Sequence, residues 1–172
     1  MSADRYRDLG NGTIRDTRTR LRWRRDPLEP GEAVRRQIWL LAGLRRLLDA
    51  IIARWRPSAV AGAAGAYTWD EAVQAVAAFN RTGGYAGYRS WRLPTRGELK
   101  QLLDPDDGWP RQWGAMPDAP AGRFWSSQPH AGNPRYAWCV DAATGRAEYL
   151  GRNAPLHVWL VRGREPPAPG DD

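Results

Sequence analysis

The side chains that could perform covalent or metal chemistry are few in this 172-residue sequence, and they lie far apart. Cys139 is the single cysteine, which excludes an internal disulfide and a zinc site built on several thiolates. The two histidines, His130 and His157, are too isolated for a histidine-rich metal site. The acidic cluster at 104–107 is interpreted as a solvated loop that ends a helix. Because no nucleophile elbow and no phosphate-binding glycine loop occur, we expect a non-enzymatic protein that uses no metal and no cofactor.

Side chains suited to non-covalent recognition concentrate in the C-terminal part of the sequence. Tyrosine, asparagine and arginine offer contact area and adaptable hydrogen bonds at a modest entropic cost. Loops on a rigid scaffold are also the usual place for binding residues. An ordinary solvated loop surface is the alternative interpretation. The candidate ligand-binding residues, all at predicted loops or strand ends, are Arg135, Tyr136, Glu148, Tyr149, Arg152, Asn153 and His157.

The positive charge is concentrated in the N-terminal third. The net charge is +7, and the first 56 residues hold 14 arginines against 7 carboxylates, whereas the remainder is balanced. From Thr19 the sequence alternates, with Leu21 and Trp23 on one side of a predicted half-buried strand. Residues two apart on a strand are roughly 6.5–7 Å apart, near the spacing of successive phosphates or sulfates. A possible polyanion site on the outer side of that strand therefore consists of Arg18, Arg20, Arg22 and Arg24, the alternative being a charged face that keeps the protein soluble.

The local patterns predict an α+β fold. Residues 5–25 are predicted to form a β-hairpin or two short strands around an Asn11-Gly12 turn. Capping boxes predict two helices, one starting at Thr68 with Glu71 and one at Thr95 with Glu98. Strands are predicted at Phe124–Ser127, Tyr136–Asp141, His157–Arg162 and, more weakly, Arg146–Leu150, which pairs across a turn at 143–145. Strands, helices and then strands again are typical of α+β rather than parallel α/β folds.

Residues 27–66 differ from their surroundings and are predicted to be a helical insertion. The segment 32–56 has a helical pattern that ends at Pro57. Its apolar stripe is wider than one surface helix normally buries, so we expect residues 33–56 to dock a protein partner or a second copy of the chain. The stripe comprises Val34, Ile38, Leu41, Leu44, Leu48, Ile51, Ile52 and Trp55.

The hydropathy pattern predicts no membrane span, because no stretch approaches 18 uncharged apolar residues. The N-terminus lacks the apolar core of a secretory signal. As written, the sequence is therefore expected to be cytoplasmic, and a removed leader would change that expectation to a surface or secreted protein.

Four sequence blocks, in order, resemble one known family. The opening NGTIRDTRTRLRW at 11–23 is followed by TWDEA at 68–72, by GY at 84–85 with WRLPT at 91–95, and by FWSS at 124–127 with AWCVD at 137–141. This combination resembles the Lcl C-terminal domain family over roughly 5–25 and 67–163.

The resemblance implies a C-type-lectin-like fold, with two helices flanking twisted antiparallel sheets. Formylglycine-generating enzymes and retroelement-diversified variable proteins are similar in fold, and the named family member is a surface adhesin that binds sulfated glycosaminoglycans. Formylglycine-generating activity is set aside, because that chemistry uses two cysteines and Cys139 stands alone. We therefore expect one domain at 1–164 with the insertion at 27–66 and a disordered tail at 165–172. Its function is expected to be recognition of a ligand or a protein, with polyanion binding as the alternative.

Overall fold

The computed structural model describes residues 5–32, 66–103 and 122–163. It contains seven strands and two helices in these ranges. The strands are β1 (Tyr6–Asp8), β2 (Thr13–Asp16), β3 (Arg22–Arg24), β4 (Arg123–Pro129), β5 (Tyr136–Asp141), β6 (Ala147–Gly151) and β7 (Val161–Arg162), and the helices are α1 (Trp69–Arg81) and α2 (Arg96–Leu102). The architecture is therefore α+β, as the sequence predicts.

Three predictions fall on residues outside these ranges. They are the solvated loop at 104–107, the tail at 165–172 and the docking helix with Val34, Ile38, Leu41, Leu44, Leu48, Ile51, Ile52 and Trp55. Within the described residues, no helix has the length and apolar character needed to cross a membrane.

Both helices begin where the capping boxes predict. At α1, the Thr68 hydroxyl accepts a hydrogen bond from the Glu71 backbone N–H while the Glu71 carboxylate accepts one from the Thr68 backbone. Thr95 and Glu98 repeat the arrangement at α2. The sequence predicts these helix starts correctly because a capping box satisfies otherwise unpaired N–H groups with residues only three positions apart.

The first sheet joins the two ends of the described chain. Its strand order is β1-β2-β3-β7, and every neighbouring pair is antiparallel. Residues 5–25 pair with a C-terminal strand, since Trp23 in β3 lies opposite Val161 in β7. The inward side of this sheet buries Ile14, Trp23 and Val161 completely or almost completely.

The second sheet has the order β4-β5-β6 and is also antiparallel. β5 has the predicted bounds, and β5 and β6 form the predicted hairpin across the turn at 143–145. Solvent exposure alternates along the first part of β5: Ala137 and Cys139 are fully buried, whereas Tyr136 is exposed and Trp138 is half-buried. The side of the sheet that carries Ala137 and Cys139 is therefore buried, whereas the opposite side faces outward at Tyr136 and Trp138 and is buried again at Val140.

A buried segment at 156–160 connects the two sheets. The predicted strand His157–Arg162 is regular only at 161–162, because the preceding backbone bonds to several loops rather than to one continuous strand. Leu160 O accepts from Arg24 N at 3.0 Å, Val158 O accepts from Leu28 N at 2.8 Å, and His157 O accepts from Trp125 N at 3.0 Å. Leu156, Val158 and Leu160 belong to one apolar cluster and Trp159 to another, which explains the nearly continuous apolar sequence of this segment.

The cluster beneath α1 packs this helix against the inner side of the second sheet. Its largest buried members are Phe79, Trp91 and Trp125. The other cluster lies beneath α2 and packs Trp23, Phe124 and Trp159 against Leu99 and Leu102. The two clusters hold both sheets rigidly in relation to the helices, since their side chains are nearly all excluded from solvent.

The predicted row of arginines along one strand is wrong. β3 is regular only from Arg22 to Arg24, and Arg18 lies in the preceding turn, where its backbone N–H is held by the Asp16 carboxylate at 2.9 Å. Arg20 adopts a left-handed backbone conformation with φ of 63°, which breaks the alternation. Arg24 is only 7% exposed and pairs with Glu32 at 2.8 Å. These four guanidinium groups therefore do not line one exposed edge.

Candidate binding face on the second sheet

Four aromatic rings cluster on the outward side of the second sheet. Trp138 in β5 lies directly opposite Tyr149 in β6, and their ring centroids are 5.5 Å apart. Tyr136 adds an edge-to-face contact to Tyr149 at 5.9 Å, and the His130 ring lies 4.5 Å from the same tyrosine. We call His130, Tyr136, Trp138 and Tyr149 the aromatic face.

The aromatic face is open to solvent although its rings contact one another. Tyr149 is 51% exposed and Tyr136 is 37% exposed, and both are among the few large apolar side chains that the described surface exposes. Tyr136, Trp138 and Tyr149 are carried by paired strands, so the ladder of the β5–β6 hairpin fixes their positions, whereas His130 directly follows β4. Rigid, exposed tyrosine and tryptophan side chains are typical of the central contacts of binding surfaces.

An arginine extends the aromatic face towards α2. The Arg96 guanidinium lies over the Trp138 ring, 4.3 Å from its centroid. The position of Arg96 at the start of α2 is fixed by a hydrogen bond from its backbone N–H to the Gln128 side chain at 3.0 Å. A cation above an aromatic ring is held without losing its charge, so this edge of the face offers a positive group beside apolar area.

A cleft of about 590 Å³ lies beside the aromatic face, between the start of α1 and the β4–β5 loop. Arg152 crosses it: its guanidinium stacks on Trp69 at 4.2 Å, donates to Pro134 O at 3.1 Å and forms an ion pair with Asp70. The residues that line this cleft are Thr68, Asp70, Pro134, Arg135, Arg152 and Asn153. Arg135 in the cleft directly precedes Tyr136 of the aromatic face, so the two regions meet at the start of β5, and we treat them together as one candidate surface.

The structure places five of the seven predicted ligand-binding residues on this surface. Tyr136 and Tyr149 belong to the aromatic face, and Arg135, Arg152 and Asn153 line the cleft. Sequence reasoning missed Trp138, which it grouped with the family's closing strands, and Arg96 and His130. The alternation Tyr136-Ala137-Trp138-Cys139 was the available signal, because it places both large rings on one side of the strand.

The other two predicted residues lie elsewhere. Glu148 is on the opposite side of β6 from Tyr149, where its carboxylate accepts a hydrogen bond from Arg123 at 3.0 Å. His157 is only 6% exposed, and its ring packs 5.6 Å from that of Phe124. The prediction for His157 is wrong because the apolar residues that follow it bury the whole segment in the centre of the molecule.

Cys139 is a core residue. The side chain is fully buried among the apolar residues beneath α1. Burial raises the pKa of the Cys139 thiol to about 11, and the Glu148 carboxylate adds to that shift. The thiol is therefore protonated at neutral pH, and a protonated thiol is a poor nucleophile.

Arg92 and Glu98 have the structural roles that the sequence predicts. The Arg92 guanidinium donates two hydrogen bonds to the Glu98 carboxylate, at 2.8 and 2.7 Å, and Glu98 also caps α2. No three histidine, cysteine, aspartate or glutamate side chains in the described ranges come close enough together to hold a metal ion.

The family model of the Lcl C-terminal domain matches residues 12–162. The match covers most of the chain, and the chain therefore belongs to the Lcl C-terminal domain family. Comparison with curated proteins finds no match.

Proposed function

We propose that the protein is a non-enzymatic recognition module that binds a protein partner through the aromatic face and the adjoining cleft. The observation that carries the proposal is the pair of exposed tyrosines, Tyr136 and Tyr149, packed on a rigid hairpin beside Trp138. Aromatic and arginine side chains dominate the binding energy of protein interfaces because they bury large areas at a small entropic cost. A polypeptide surface offers the apolar side chains and carbonyl groups that such a face binds.

The cleft adds polar specificity to the proposed interface. Asn153 and Thr68 can donate and accept hydrogen bonds there, and Arg135 supplies a cation at the border with the aromatic face. Arg152 is already braced by Trp69 and Asp70, so its orientation is set before a ligand arrives. Preorganised side chains lose less entropy on binding, which favours affinity.

The scaffold that we propose is C-type-lectin-like. Two helices, two antiparallel sheets and the pairing of β3 with β7, which brings early and late parts of the chain together, support this assignment. The inserted segment 33–56 is proposed to dock a partner or a second copy on the strength of its sequence pattern. We propose that the module binds without turnover, and the buried Cys139 thiol, which is protonated at neutral pH, is consistent with that proposal.

A capture experiment with matched surface variants tests the proposed interface. The purified full chain is immobilised and exposed to lysate of the native cells, and retained proteins are quantified by mass spectrometry. The double variant Tyr136→Ser/Tyr149→Ser is expected to lower recovery of the partner at least about 10-fold, because one hot-spot residue contributes about 2 kcal/mol or more. Val73→Ser is the control, since Val73 is 42% exposed on α1 and outside the face.

The unfolding temperature of each variant distinguishes loss of binding from loss of folding. Substitutions at exposed positions usually change stability by less than about 0.5 kcal/mol, so all variants are expected to unfold within a few degrees of the wild type. Equal recovery by the wild type and the tyrosine variant, or equal loss with Val73→Ser, would overturn the proposed function.

A further inference from the structure

Four arginines form a row across the first sheet, from one edge to the other. The strand register places Arg7 opposite Arg15, Arg15 opposite Arg22, and Arg22 opposite Arg162. Directly opposed residues share one side of a sheet, so all four lie on the same side. Arg7 and Arg15 are exposed, whereas Arg22 and Arg162 are partly exposed. We call this set the cross-strand row.

The cross-strand row is a concentration of uncompensated charge. Like charges directly opposite each other in a sheet are destabilising, and none of the four arginines forms an ion pair with any residue in the described ranges. The carboxylates of this sheet are used elsewhere, since Asp8 pairs with Arg25 and Asp16 with Arg5. The arrangement therefore lowers the stability of the free protein and favours an anionic ligand.

Neutral groups hold two of these guanidinium groups in place. The Tyr88 ring lies 4.7 Å from the Arg22 guanidinium and 3.7 Å from that of Arg162, and its hydroxyl accepts a hydrogen bond from Arg22. Ser90 accepts a hydrogen bond from Arg162 at 3.4 Å. These contacts orient the cations without neutralising them. Tyr88 is thereby occupied by two arginines, so it is not presented for stacking on a base.

We propose that the cross-strand row binds the phosphodiester backbone of a nucleic acid. Neighbouring strands are about 4.8 Å apart, so the three intervals between the four arginines span roughly 14 Å. Successive phosphates of one nucleic-acid strand are roughly 6.5–7 Å apart, so about three phosphates lie over that distance. Each guanidinium can then donate two parallel hydrogen bonds to one phosphate. This site is distinct from the aromatic face and does not depend on the protein partner proposed above.

The row is expected to bind without sequence preference, since it presents cations and no free ring or amide to the bases. The test measures fluorescence anisotropy of a labelled 20-nucleotide DNA strand and of the corresponding duplex, at several salt concentrations, with the full chain. Each phosphate contact contributes about 0.7 (single strand) to 0.9 (duplex) to the slope of log K against log salt. Three neutralised phosphates therefore predict a slope of about −2 to −3, and the two probes identify which form of the backbone is preferred.

Two charge-matched variants locate the site. Arg7→Gln/Arg15→Gln is expected to reduce the magnitude of the salt slope by roughly 1.5 and to weaken binding at low salt at least about 10-fold. Arg81→Gln/Arg146→Gln removes the same charge from exposed positions outside the row and is expected to leave the slope unchanged. Arg7→Lys/Arg15→Lys should retain most of the slope, since lysine keeps the charge.

Three results would overturn the proposal. The first is an equal loss of binding in the control variant, which would mean that only net charge matters. The second is a slope that does not change in Arg7→Gln/Arg15→Gln. The third is saturable binding of heparin with no saturable binding of either DNA probe, which would assign the row to a sulfated polysaccharide instead. Unfolding temperatures of all variants are measured alongside, and a variant that does not fold is replaced by its single substitutions.

Discussion

The outward sides of the two sheets carry opposite kinds of surface. On the second sheet, Tyr136, Trp138 and Tyr149 contact one another, so the face is held together by its own packing. On the first sheet, Arg15 and Arg22 stand opposite each other without a described carboxylate partner, so the face is held in place despite its own repulsion.

This difference separates two modes of binding. A packed aromatic surface binds by burying apolar area, and that contribution changes little with moderate salt. A row of exposed cations binds by releasing counterions, and that contribution falls steeply with salt. Varying the ionic strength should therefore distinguish binding by the first sheet from binding by the second sheet within one intact protein.

We expect the largest effect from a substitution in the buried core, which supports both the aromatic face and the cross-strand row. Trp159 is fully buried, and its indole N–H donates to Arg24 O at 2.7 Å, which ties the central segment to β3. Trp159→Ala is expected to lower the free energy of unfolding by about 3–5 kcal/mol. Trp138→Ala, at a half-buried position on the aromatic face, is the control and is expected to cost clearly less. Urea denaturation measures both, and equal costs would contradict the assignment of Trp159 to the core.

Lowering the pH is expected to reduce the stability of the first sheet more than that of the second. Burial alone would raise the pKa of Asp16, but hydrogen bonds from Arg5, Thr19 and Arg18 outweigh it and hold that pKa below the usual 3.8. A carboxylate with a lowered folded-state pKa stabilises the fold fully above about pH 4, and this stability is lost as the pH falls through the folded-state value.

Asp16→Asn is expected to cost about 1–3 kcal/mol at pH 7, because charge-assisted hydrogen bonds to a buried carboxylate are lost. The variant should also lose the part of the acid sensitivity that Asp16 contributes. Hydrogen exchange of β1 and β2 amides between pH 7 and pH 3, corrected for the intrinsic rates, measures the effect. Amides of β5 and β6 are the internal reference, and equal deprotection of both sheets would argue against a local role for Asp16.

The smallest expected effect has the opposite sign. Arg15→Glu places a carboxylate between Arg7 and Arg22 and should stabilise the free protein by about 0.5–1 kcal/mol, since opposite charges on neighbouring strands attract. For a protein of this size that corresponds to an unfolding temperature higher by roughly 1–4 °C. The wild type should gain stability between 0.02 and 0.5 M NaCl, whereas Arg15→Glu should not. A destabilised Arg15→Glu variant would show that the row is not repulsive.

Features determined by near neighbours could be predicted from the sequence. The capping boxes at Thr68 and Thr95, the strand Tyr136–Asp141 and the hairpin that follows it each depend on residues a few positions apart. Three of the residues that line the cleft, Arg135, Arg152 and Asn153, were predicted for a related reason, since polar types at loops and strand ends are usually exposed.

Features that depend on the residue register between distant strands could not be predicted. The cross-strand row needs β7 beside β3, and no local pattern joins Arg162 to Arg22. The arginines predicted to align along one strand fail to do so because Asp16 fixes a turn before β3 and Arg20 reverses its backbone. His157 was predicted at the surface, and only the tertiary packing of the 156–160 segment reveals that it is buried.

Site-specific photo-crosslinking is the most direct test of whether the aromatic face binds a protein partner. A photoreactive p-benzoylphenylalanine replaces Tyr149 in one variant and Val73 in another, both exposed positions, and the native cells are irradiated. If the aromatic face binds a protein partner, we expect a discrete crosslinked product from position 149 that persists at 0.5 M NaCl during purification, and none from position 73. Crosslinking to the same partner from both positions, from position 73 alone or from neither would contradict it.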